Sequence, residues 1–439
     1  MKNQVKGFMF YVAFVASLGG LLFGFDTAVI SGAEKAIQVI YHLSDFGHGF
    51  TIATALIGTI VGALFCGNPA ERFGRRRALI VIALLYFVSA IGTATIINWY
   101  SFMFFRFMGG LAVGASSVVG PMYIAEISPS HWRGRFVAFF QFNIVLGIVL
   151  AYLSNYCISG IPNDWQWMLG ALAFPALLFF ILLYTIPESP RWLVKQRRLQ
   201  EACAVLTKTG EPNVDKEIGE IEQSLAVTGV TGVKLFQKQY FKPIMIAFLI
   251  ATFNQLSGIN AINYYAPRIL EMSGVFHGGA LMQTIIIGLT NLTFTMLGVA
   301  IIDKVGRKPL IYIGSFGMFI SLSLVAYGFF IGKVEGYYML LCLMGFIAFF
   351  AVSLGATIWV VISEIFPNSV RAKGQVLGSM THWVWAALLT WFFPMFLSIG
   401  GTFIFCFFAL AVLCSFFFAL WMPETKNKSL EQIQKELMK

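Results

Sequence analysis

Two ionisable residues lie within long apolar stretches of the sequence. Asp26 occurs in GGLLFGFDTAVISGA, and Arg106 begins RFMGG. A charge at membrane depth costs roughly 2.5–3.5 kcal/mol on insertion scales, so each such residue needs a partner or a function. Burial favours the neutral form of a carboxyl group and a nearby guanidinium favours the ionised form, so a carboxyl under both influences can change protonation when its surroundings move. We predict that Asp26 carries a proton with Arg106 as its partner, and a fixed structural ion pair is the alternative.

A second set of residues in the apolar stretches is polar but uncharged. It comprises Gln141, Asn254, Gln255, Asn260, Asn263, Asn291 and His382. Amides donate and accept hydrogen bonds without charge, which suits a neutral polyol. The aromatic faces that can stack on the C–H surface of such a ligand are Phe23, Tyr264, Trp359 and Trp383. We predict a polyol-binding site, although any single amide is more often an interhelical hydrogen bond. His382 is expected to form hydrogen bonds rather than to titrate.

Acidic and basic residues recur where apolar stretches end. Glu126 precedes Arg133 by seven residues, and Glu364 precedes Arg371 by the same spacing, so each pair brackets the inner end of a helix and the following loop. The residues grouped with them are Arg72, Arg76, Glu188, Arg191 and Arg307. We predict a cytoplasmic gate that ties two halves of the chain together, and simple anchoring of basic loops is the alternative. Exposed ion pairs contribute about 0–1 kcal/mol each, so several must act together.

Composition places these residues on membrane-spanning helices. Of 439 residues, 58% are hydrophobic and 11% are charged, whereas an ordinary globular chain is roughly 25% charged. A bilayer core of about 30 Å needs about 20 apolar residues. Twelve stretches qualify, at approximately 8–32, 50–70, 78–97, 101–126, 136–157, 166–186, 240–270, 280–303, 309–331, 337–365, 375–398 and 400–421. We therefore predict an all-α membrane protein with twelve transmembrane helices.

The placement of charge indicates orientation and argues against other classes of protein. The net charge of +10 comes from short Lys and Arg clusters between apolar runs, which does not resemble a nucleic-acid-binding face. Because cytoplasmic loops retain Lys and Arg, we predict that both termini are cytoplasmic in a multi-pass protein of the inner (plasma) membrane. The six cysteines have no CxxC spacing, and no metal cluster, nucleophile or catalytic carboxylate pair is apparent. We expect no cofactor, no metal and no enzymatic activity.

Three motifs recur at nearly one period. ERFGRR at 71–76 returns as DKVGRK at 303–308, AEISPSHWR at 125–133 as SEIFPNSVR at 363–371, and PES at 187–189 as PET at 423–425. A single duplication explains all three. We predict an N-terminal six-helix bundle over 1–186, a cytoplasmic helical linker over 187–239, and a C-terminal six-helix bundle with a short tail over 240–439. Parallel repeats of this kind are typical of secondary transporters whose substrate site lies at the midplane between the halves.

The motifs also resemble the signature set of the sugar porter family in the major facilitator superfamily. They are RFGRRRAL, PMYIAEISPSHWRG, PESPRWL, NQLSGINAINYYAP, DKVGRKPL, SEIFPNSVRAK and PETKNKSLEQI, and they run from about 17 to 433. The chain is similar to bacterial xylose/proton symporters and to facilitative glucose carriers. The resemblance implies the major facilitator fold and monosaccharide transport by alternating access. It also implies sugar contacts at Gln141, Gln255, Asn260, Asn291, Trp359 and Trp383.

The resemblance bears on coupling and on the choice of sugar. Asp26 matches a position that is acidic in proton-coupled members of the family and an amide in uniporters. The sequence departs from the family pattern at Asn254, Ala356 and His382, and it has Ile148 where xylose-type symporters can carry Gln, which blurs the preferred sugar.

The sequence as a whole predicts proton-coupled uptake of a neutral monosaccharide such as xylose or glucose by a monomer in a lipid bilayer, with no nucleic-acid partner. A proton-independent uniporter with a structural Asp26 is the first alternative. A membrane sugar sensor is the second, and it typically needs a long signalling tail, whereas about 18 residues follow the last apolar stretch.

Overall fold

The computed structural model describes residues 2–129, 132–211, 213–227, 235–332, 337–367, 370–426, 428, 432–433 and 437. These residues form α-helices, one short 3-10 turn and one π-helical turn, without a β-strand among them. The α-helices are α1 Lys2–Ile40, α2 Asp45–Phe65, α3 Gly67–Phe73, α4 Arg75–Thr95, α5 Trp99–Ile127, α6 Arg133–Ile158, α7 Asp164–Gly170, α8 Ala173–Leu182, α9 Pro190–Lys195, α10 Leu199–Thr209, α11 Val214–Val227, α12 Phe241–Leu256, α13 Ile259–Met272, α14 His277–Val305, α15 Arg307–Ile331, α16 Tyr338–Phe350, α17 Ala356–Glu364, α18 Arg371–Ile399 and α19 Gly401–Trp421.

Twelve segments of the described helices are long and apolar enough to cross a membrane. They are Gly7–Ile40, Asp45–Phe65, Arg75–Thr95, Trp99–Ile127, Gly134–Ile158, Asp164–Leu182, Lys238–Met272, His277–Val305, Arg307–Ile331, Tyr338–Glu364, Arg371–Ile399 and Gly401–Trp421. Only helices satisfy every backbone hydrogen bond within a single spanning segment, so apolar runs of this length fold this way in lipid. The predicted all-α class with twelve membrane helices is confirmed.

The helices group into two compact units. Unit 1 comprises Met1–Thr27, Gly58–Ala151 and Gln166–Gly232, and unit 2 comprises Ala28–Ile57, Tyr152–Trp165 and Val233–Lys439. The division falls inside α1, α2, α6 and α7, so each of these helices contributes one end to each unit. The bundle boundaries at 186 and 239 that the repeat suggests stay a prediction.

The first membrane helix is longer than hydropathy predicts. The apolar stretch ends near residue 32, whereas α1 continues to Ile40 through Glu34, Lys35 and Gln38. Glu34 is only 1% exposed. A charged residue can continue a buried helix when it is paired inside the protein, and hydropathy does not record such pairing.

Two interruptions in unit 2 set the geometry of its polar residues. The backbone leaves the helical path between α12 and α13, where Gly258 adopts a φ of +86°. A left-handed φ favours glycine, and a Cβ at this position would also approach the Phe408 ring to 2.5 Å. The second interruption is the π-helical turn Ala351–Gly355 between α16 and α17. Single π-helical turns are frequent at functional sites, and this one sets the direction of α17, which carries Trp359.

The predicted linker is helical within its described residues. α9 begins with Pro190 at its first position, and the Ser189 side chain caps it by accepting from the Trp192 amide at 3.3 Å. α10 ends at Gly210, which has a left-handed φ of +81°. Its buried residues Ala202, Val205, Leu206 and Thr209 follow a helical period, so α10 is amphipathic.

Candidate functional site

Asp26 and Arg106 meet in the interior of unit 1. The Arg106 Nη1 donates to Asp26 Oδ1 at 3.1 Å, and the two residues are 2% and 3% exposed. Close packing of α4 against α5 positions the arginine, because Ser89 on α4 donates to the Phe105 carbonyl at 2.7 Å. A Cβ at Gly109 would approach the Ser89 hydroxyl to 2.6 Å, so the glycine permits the close approach of α4 and α5.

The pair is held by a single hydrogen bond. Arg106 Nε and Nη2 are buried and have no hydrogen-bond partner within the described part of the chain. A guanidinium usually binds a carboxylate through two parallel hydrogen bonds, which fix its orientation. A singly bonded pair in a buried setting can be separated by a small movement of α1 or α5. Such a pair is suited to exchanging a proton, and it also fits the structural role left open by the sequence.

Unit 2 brings several of the predicted substrate residues into one connected group around Gln255. Asn260 Nδ2 donates to Gln255 Oε1 at 2.9 Å, and Gln255 Nε2 lies 3.0 Å from His382 Nε2. Gln255 Nε2 also donates to Asn254 Oδ1 at 3.2 Å, and Asn254 in turn donates to the Leu354 carbonyl. The interruption at Gly258 allows this arrangement, because it places the end of α12 and the start of α13 around the same amide.

Two tryptophans adjoin this polar group. The His382 ring lies 5.0 Å from the Trp359 ring and 4.9 Å from the Trp383 ring, measured between centroids. Trp359 is 41% exposed, whereas Trp383 is buried. Hydrogen-bonding amides beside an accessible aromatic face are the combination that a neutral polyol needs. We call Asn254, Gln255, Asn260, His382, Trp359 and Trp383 the Gln255 group.

The remaining predicted substrate residues lie outside the Gln255 group. Phe23 on α1 and Gln141 on α6 are half-buried members of unit 1. Asn291 on α14 accepts a hydrogen bond from Thr295 at 3.1 Å within its own helix. Asn263 and Tyr264 are buried on α13, where the Asn263 carbonyl accepts from the Tyr152 hydroxyl at 3.0 Å.

Glu126 is the centre of the predicted gate residues in unit 1. Arg75 binds its carboxylate through Nε and Nη2, both at 2.9 Å, and the Ser189 hydroxyl donates to the same group at 2.5 Å. Glu188 accepts from the Arg76 amide at 3.0 Å. Arg133 begins α6, and its side chain lies outside the described residues. Neither Arg75 nor Ser189 is among the gate residues predicted from the sequence.

Unit 2 repeats this arrangement around Glu364. Arg307 Nη2 donates to Glu364 at 2.8 Å, and the Thr425 hydroxyl donates to it at 2.6 Å. Glu424 accepts from the Arg307 amide at 3.1 Å, as Glu188 accepts from an arginine amide in unit 1. Arg371 instead donates to the Phe366 carbonyl at 3.3 Å. Aligning the repeated motifs position by position is the sequence signal that finds Arg75, Ser189, Glu424 and Thr425.

The two other predicted gate arginines are less enclosed. Arg72 is exposed, with its guanidinium 5.3 Å from the Phe73 ring centroid. Arg191 on α9 is half-buried and lies close enough to Glu71 to help lower its pKa. The largest cause of that lowered pKa is the hydrogen bond from Lys195, whose Nζ lies 2.9 Å from the Glu71 carboxylate. Within the described residues, no cluster of His, Cys, Asp or Glu is arranged to hold a metal ion.

Comparison with known proteins gives one consistent family. The family model described as sugar (and other) transporter matches residues 12–437. The arabinose-proton symporter of Bacillus subtilis is 39% identical over 447 residues, across 99% of this chain and 96% of the relative. The D-xylose-proton symporter of Escherichia coli K12 is 37% identical over 471 residues, across 98% of this chain and 96% of the relative.

A solved structure agrees with these relatives. The inward open conformation of the xylose transporter XylE from E. coli matches with a TM-score of 0.86 and 37% identity, covering 98% of this chain and 99% of that chain. The resemblance to the sugar porter family is therefore confirmed, and so is the major facilitator fold. These relatives are transporters, which also agrees with the expectation that the chain is not an enzyme.

Proposed function

Because this chain belongs to the sugar (and other) transporter family, we propose that it takes up a neutral monosaccharide together with a proton. The buried pair of Asp26 and Arg106 is the observation that carries the coupling part of the proposal. Two relatives named as proton symporters, for arabinose and for D-xylose, support it. A pentose or hexose such as arabinose, xylose or glucose is the proposed substrate class.

Proton exchange at Asp26 follows from its setting. When Asp26 is ionised, Arg106 neutralises it within the apolar interior, so the helices can stay closely packed. When the two side chains separate, a buried carboxylate without a counter-ion is costly, and binding a proton removes that cost. A cycle that alternately joins and separates the pair therefore takes up and releases one proton.

The Gln255 group is the proposed core of the sugar site. Its amides hydrogen-bond one another, as Asn260 does with Gln255 at 2.9 Å. Sugar hydroxyls both donate and accept, so they can replace these mutual bonds without leaving a buried amide unpaired. Trp359 offers a partly exposed face for the sugar ring. Phe23, Gln141, Tyr264 and Asn291 complete the proposed set.

The topology and the gate are further parts of the proposal. The protein spans a bacterial-type inner membrane with both termini in the cytoplasm. The chain is built from two six-helix bundles joined by the helical linker. The Glu126 and Glu364 carboxylates are the proposed centres of the cytoplasmic gate, since each is held by one arginine and one hydroxyl. The same proposed gate also includes Arg133, Arg371, Arg72, Arg191 and Glu188.

The energetics are sufficient for accumulation. One charge moving down about 100 mV yields about 2.3 kcal/mol, and a tenfold concentration ratio corresponds to about 1.4 kcal/mol. Single-proton coupling can thus sustain a sugar gradient of about fortyfold from voltage alone.

Transport assays test the proposal directly. Cells expressing the full chain should accumulate a radiolabelled pentose or hexose, unlabelled competitors should reveal the preferred sugar, and an uncoupler should abolish accumulation. Adding that sugar to de-energised cells in weakly buffered medium should make the medium more alkaline, because protons enter with the sugar. Uptake that only equilibrates and leaves the external pH unchanged would instead support the uniporter, in which Asp26 and Arg106 are a structural pair.

A further inference from the structure

A second buried ion pair lies in unit 2, and the proposed coupling and sugar sites do not use it. Glu34 near the end of α1 faces Arg268 on α13 and His48 on α2. Glu34 is 1% exposed and His48 is fully buried. Arg268 is 234 residues from Glu34 in the sequence, so only the packing of α13 against the ends of α1 and α2 brings the three residues together.

Both carboxylate oxygens of Glu34 contact its two partners. Arg268 Nε donates to Glu34 Oε1 at 2.9 Å, and Arg268 Nη2 lies 2.9 Å from Glu34 Oε2, so two guanidinium nitrogens contact the carboxylate, whereas only one does in the Asp26 pair. His48 Nε2 lies 2.7 Å from the same carboxylate, so that nitrogen carries the hydrogen. Arg268 Nη2 also donates to Gln38 Oε1 at 2.5 Å, one helical turn further along α1.

Neighbouring charged and aromatic groups extend the cluster. Glu271, one turn after Arg268, contacts Lys35 and lies 2.5 Å from His277 at the start of α14. Asp45 at the start of α2 accepts from Gln38 at 3.1 Å. On the inner side of the cluster, the His48 ring packs edge-on against Tyr265, with centroids 6.0 Å apart. The ends of α1 and α2 are thus joined to α13 and α14 by polar contacts.

Burial makes this arrangement conditional on the packing. A buried ion pair offsets the desolvation of its charges only when the geometry is good, and removal of one partner leaves an uncompensated buried charge. Glu34 therefore stays dehydrated only while α13 and α2 lie against the end of α1. Separation of these helix ends would let water solvate both charges, which offsets part of the cost of breaking the pair.

We propose that Glu34, Arg268 and His48 form an outer latch, which closes the end of the chain opposite the basic loops and opens once in every transport cycle. The proposal rests on the proposed function and orientation. The latch residues act as positioning residues: they hold helix ends and touch neither sugar nor the transported proton. Their role is to set the fraction of time for which the outer end is closed.

Thiol labelling measures that fraction without any transport. Ser31 lies one turn before Glu34 on α1 and is only 3% exposed, and cysteine is nearly isosteric with serine. The reporter is the full chain with Ser31→Cys and with the six native cysteines replaced by serine or alanine. A membrane-impermeant maleimide is added to intact cells, and the labelling rate is compared among latch variants.

We expect Arg268→Gln and Glu34→Gln each to raise the labelling rate about tenfold or more, because the first leaves the buried Glu34 carboxylate and the second the half-buried Arg268 guanidinium without its ionic partner in the closed arrangement. The double variant E34Q/R268Q should label more slowly than either single variant, because no unpaired charge remains. Arg268→Lys keeps the charge but loses the two-bond geometry, so its rate should lie between those of the parent and Arg268→Gln.

The matched control is Arg198→Gln, which removes an exposed ion pair with Glu201 in the linker and should leave the rate unchanged. Labelling of both single variants at the parent rate would overturn the latch. If Arg268→Gln does not reach the membrane, the order of Glu34→Gln and the double variant decides instead. Sugar uptake by the unmodified chain is measured separately, so a latch that labels as expected in a chain that moves no sugar would reject only the proposed function.

Discussion

Replacement of Asp26 by asparagine separates proton coupling from sugar movement. Asparagine has nearly the shape of aspartate, and its carbonyl oxygen can accept the 3.1 Å hydrogen bond from Arg106. The variant therefore keeps the contact and loses only the group that binds a proton. We expect Asp26→Asn to bring sugar to equilibrium across the membrane without accumulating it.

The substitution should change both the stability of the protein and the accumulation of sugar, and the burial of the pair sets the stability cost. Arg106 is 2% exposed and keeps a neutral partner, so the cost in stability should be near the lower end of the 3–5 kcal/mol typical of a broken buried pair, or about 3 kcal/mol. The double variant D26N/R106Q removes the unpaired cation and should recover part of that stability. The accumulation ratio should fall from about fortyfold to one in both variants, because neither carries an ionisable group at this position.

Two assays on the same cells distinguish these effects. Steady-state accumulation of radiolabelled sugar reports coupling, and counterflow of labelled against unlabelled sugar reports movement that needs no net proton transfer. Glu201→Gln, an exposed carboxylate in the linker, is the control and should retain both activities. If an Asp26→Asn variant accumulates sugar as the parent does, and loses the gradient on addition of an uncoupler, then Asp26 does not carry the coupled proton.

The other predictions concern packing, binding and the cytoplasmic gate. A Cβ at Gly24 would lie 1.8 Å from the Ile144 carbonyl oxygen, so Gly24→Ala should separate α1 from α6, cost about 1–3 kcal/mol and lower the thermal midpoint in detergent. Gln255→Ala removes bonds to three neighbours in the Gln255 group, so calorimetry should show sugar affinity about ten- to a hundredfold weaker. Glu126→Gln removes the charge that Arg75 binds, so uptake should slow while sugar affinity stays within about threefold.

Each of these three predictions has its own contrary outcome, and the first two have a control variant. Gly7→Ala introduces a methyl group into open space and should leave the thermal midpoint unchanged; an equal shift in both glycine variants would contradict the packing argument. Gln239→Ala alters an exposed amide outside the Gln255 group, and an equal loss of affinity there would argue against the sugar site. For the gate, a Glu126→Gln variant with parental uptake would show that the Arg75 pair is dispensable.

The sequence identifies the carboxylates of the proposed gate, but it does not identify which arginine binds each of them. The repeated motifs identify Glu126 and Glu364 as equivalent residues, and the structure gives them equivalent surroundings. The sequence spacing groups Glu364 with Arg371, but Glu364 binds Arg307 instead. Arg307 begins a different helix, α15, and which arginine reaches a carboxylate depends on which helix ends are adjacent.

The same limit applies to Glu34 and Arg268. Hydropathy ends the first apolar stretch near residue 32, because it counts Glu34 and Lys35 as polar. In the folded chain α1 continues to Ile40, because Glu34 finds a partner 234 residues later in the sequence. No local sequence pattern predicts a contact between two residues that are 234 positions apart.

The sequence determined the number of membrane helices, the family and the chemical types in the polar sites. Segment length, apolar content and motif spacing are local properties of the sequence, and the first two decide which segments a bilayer accommodates. Tertiary structure alone decided which charges pair, where α12 gives way to α13, and how Gln255 gathers its neighbours. A buried charge or amide must be satisfied by whatever lies beside it, and those neighbours exist only after helices distant in the chain have packed together.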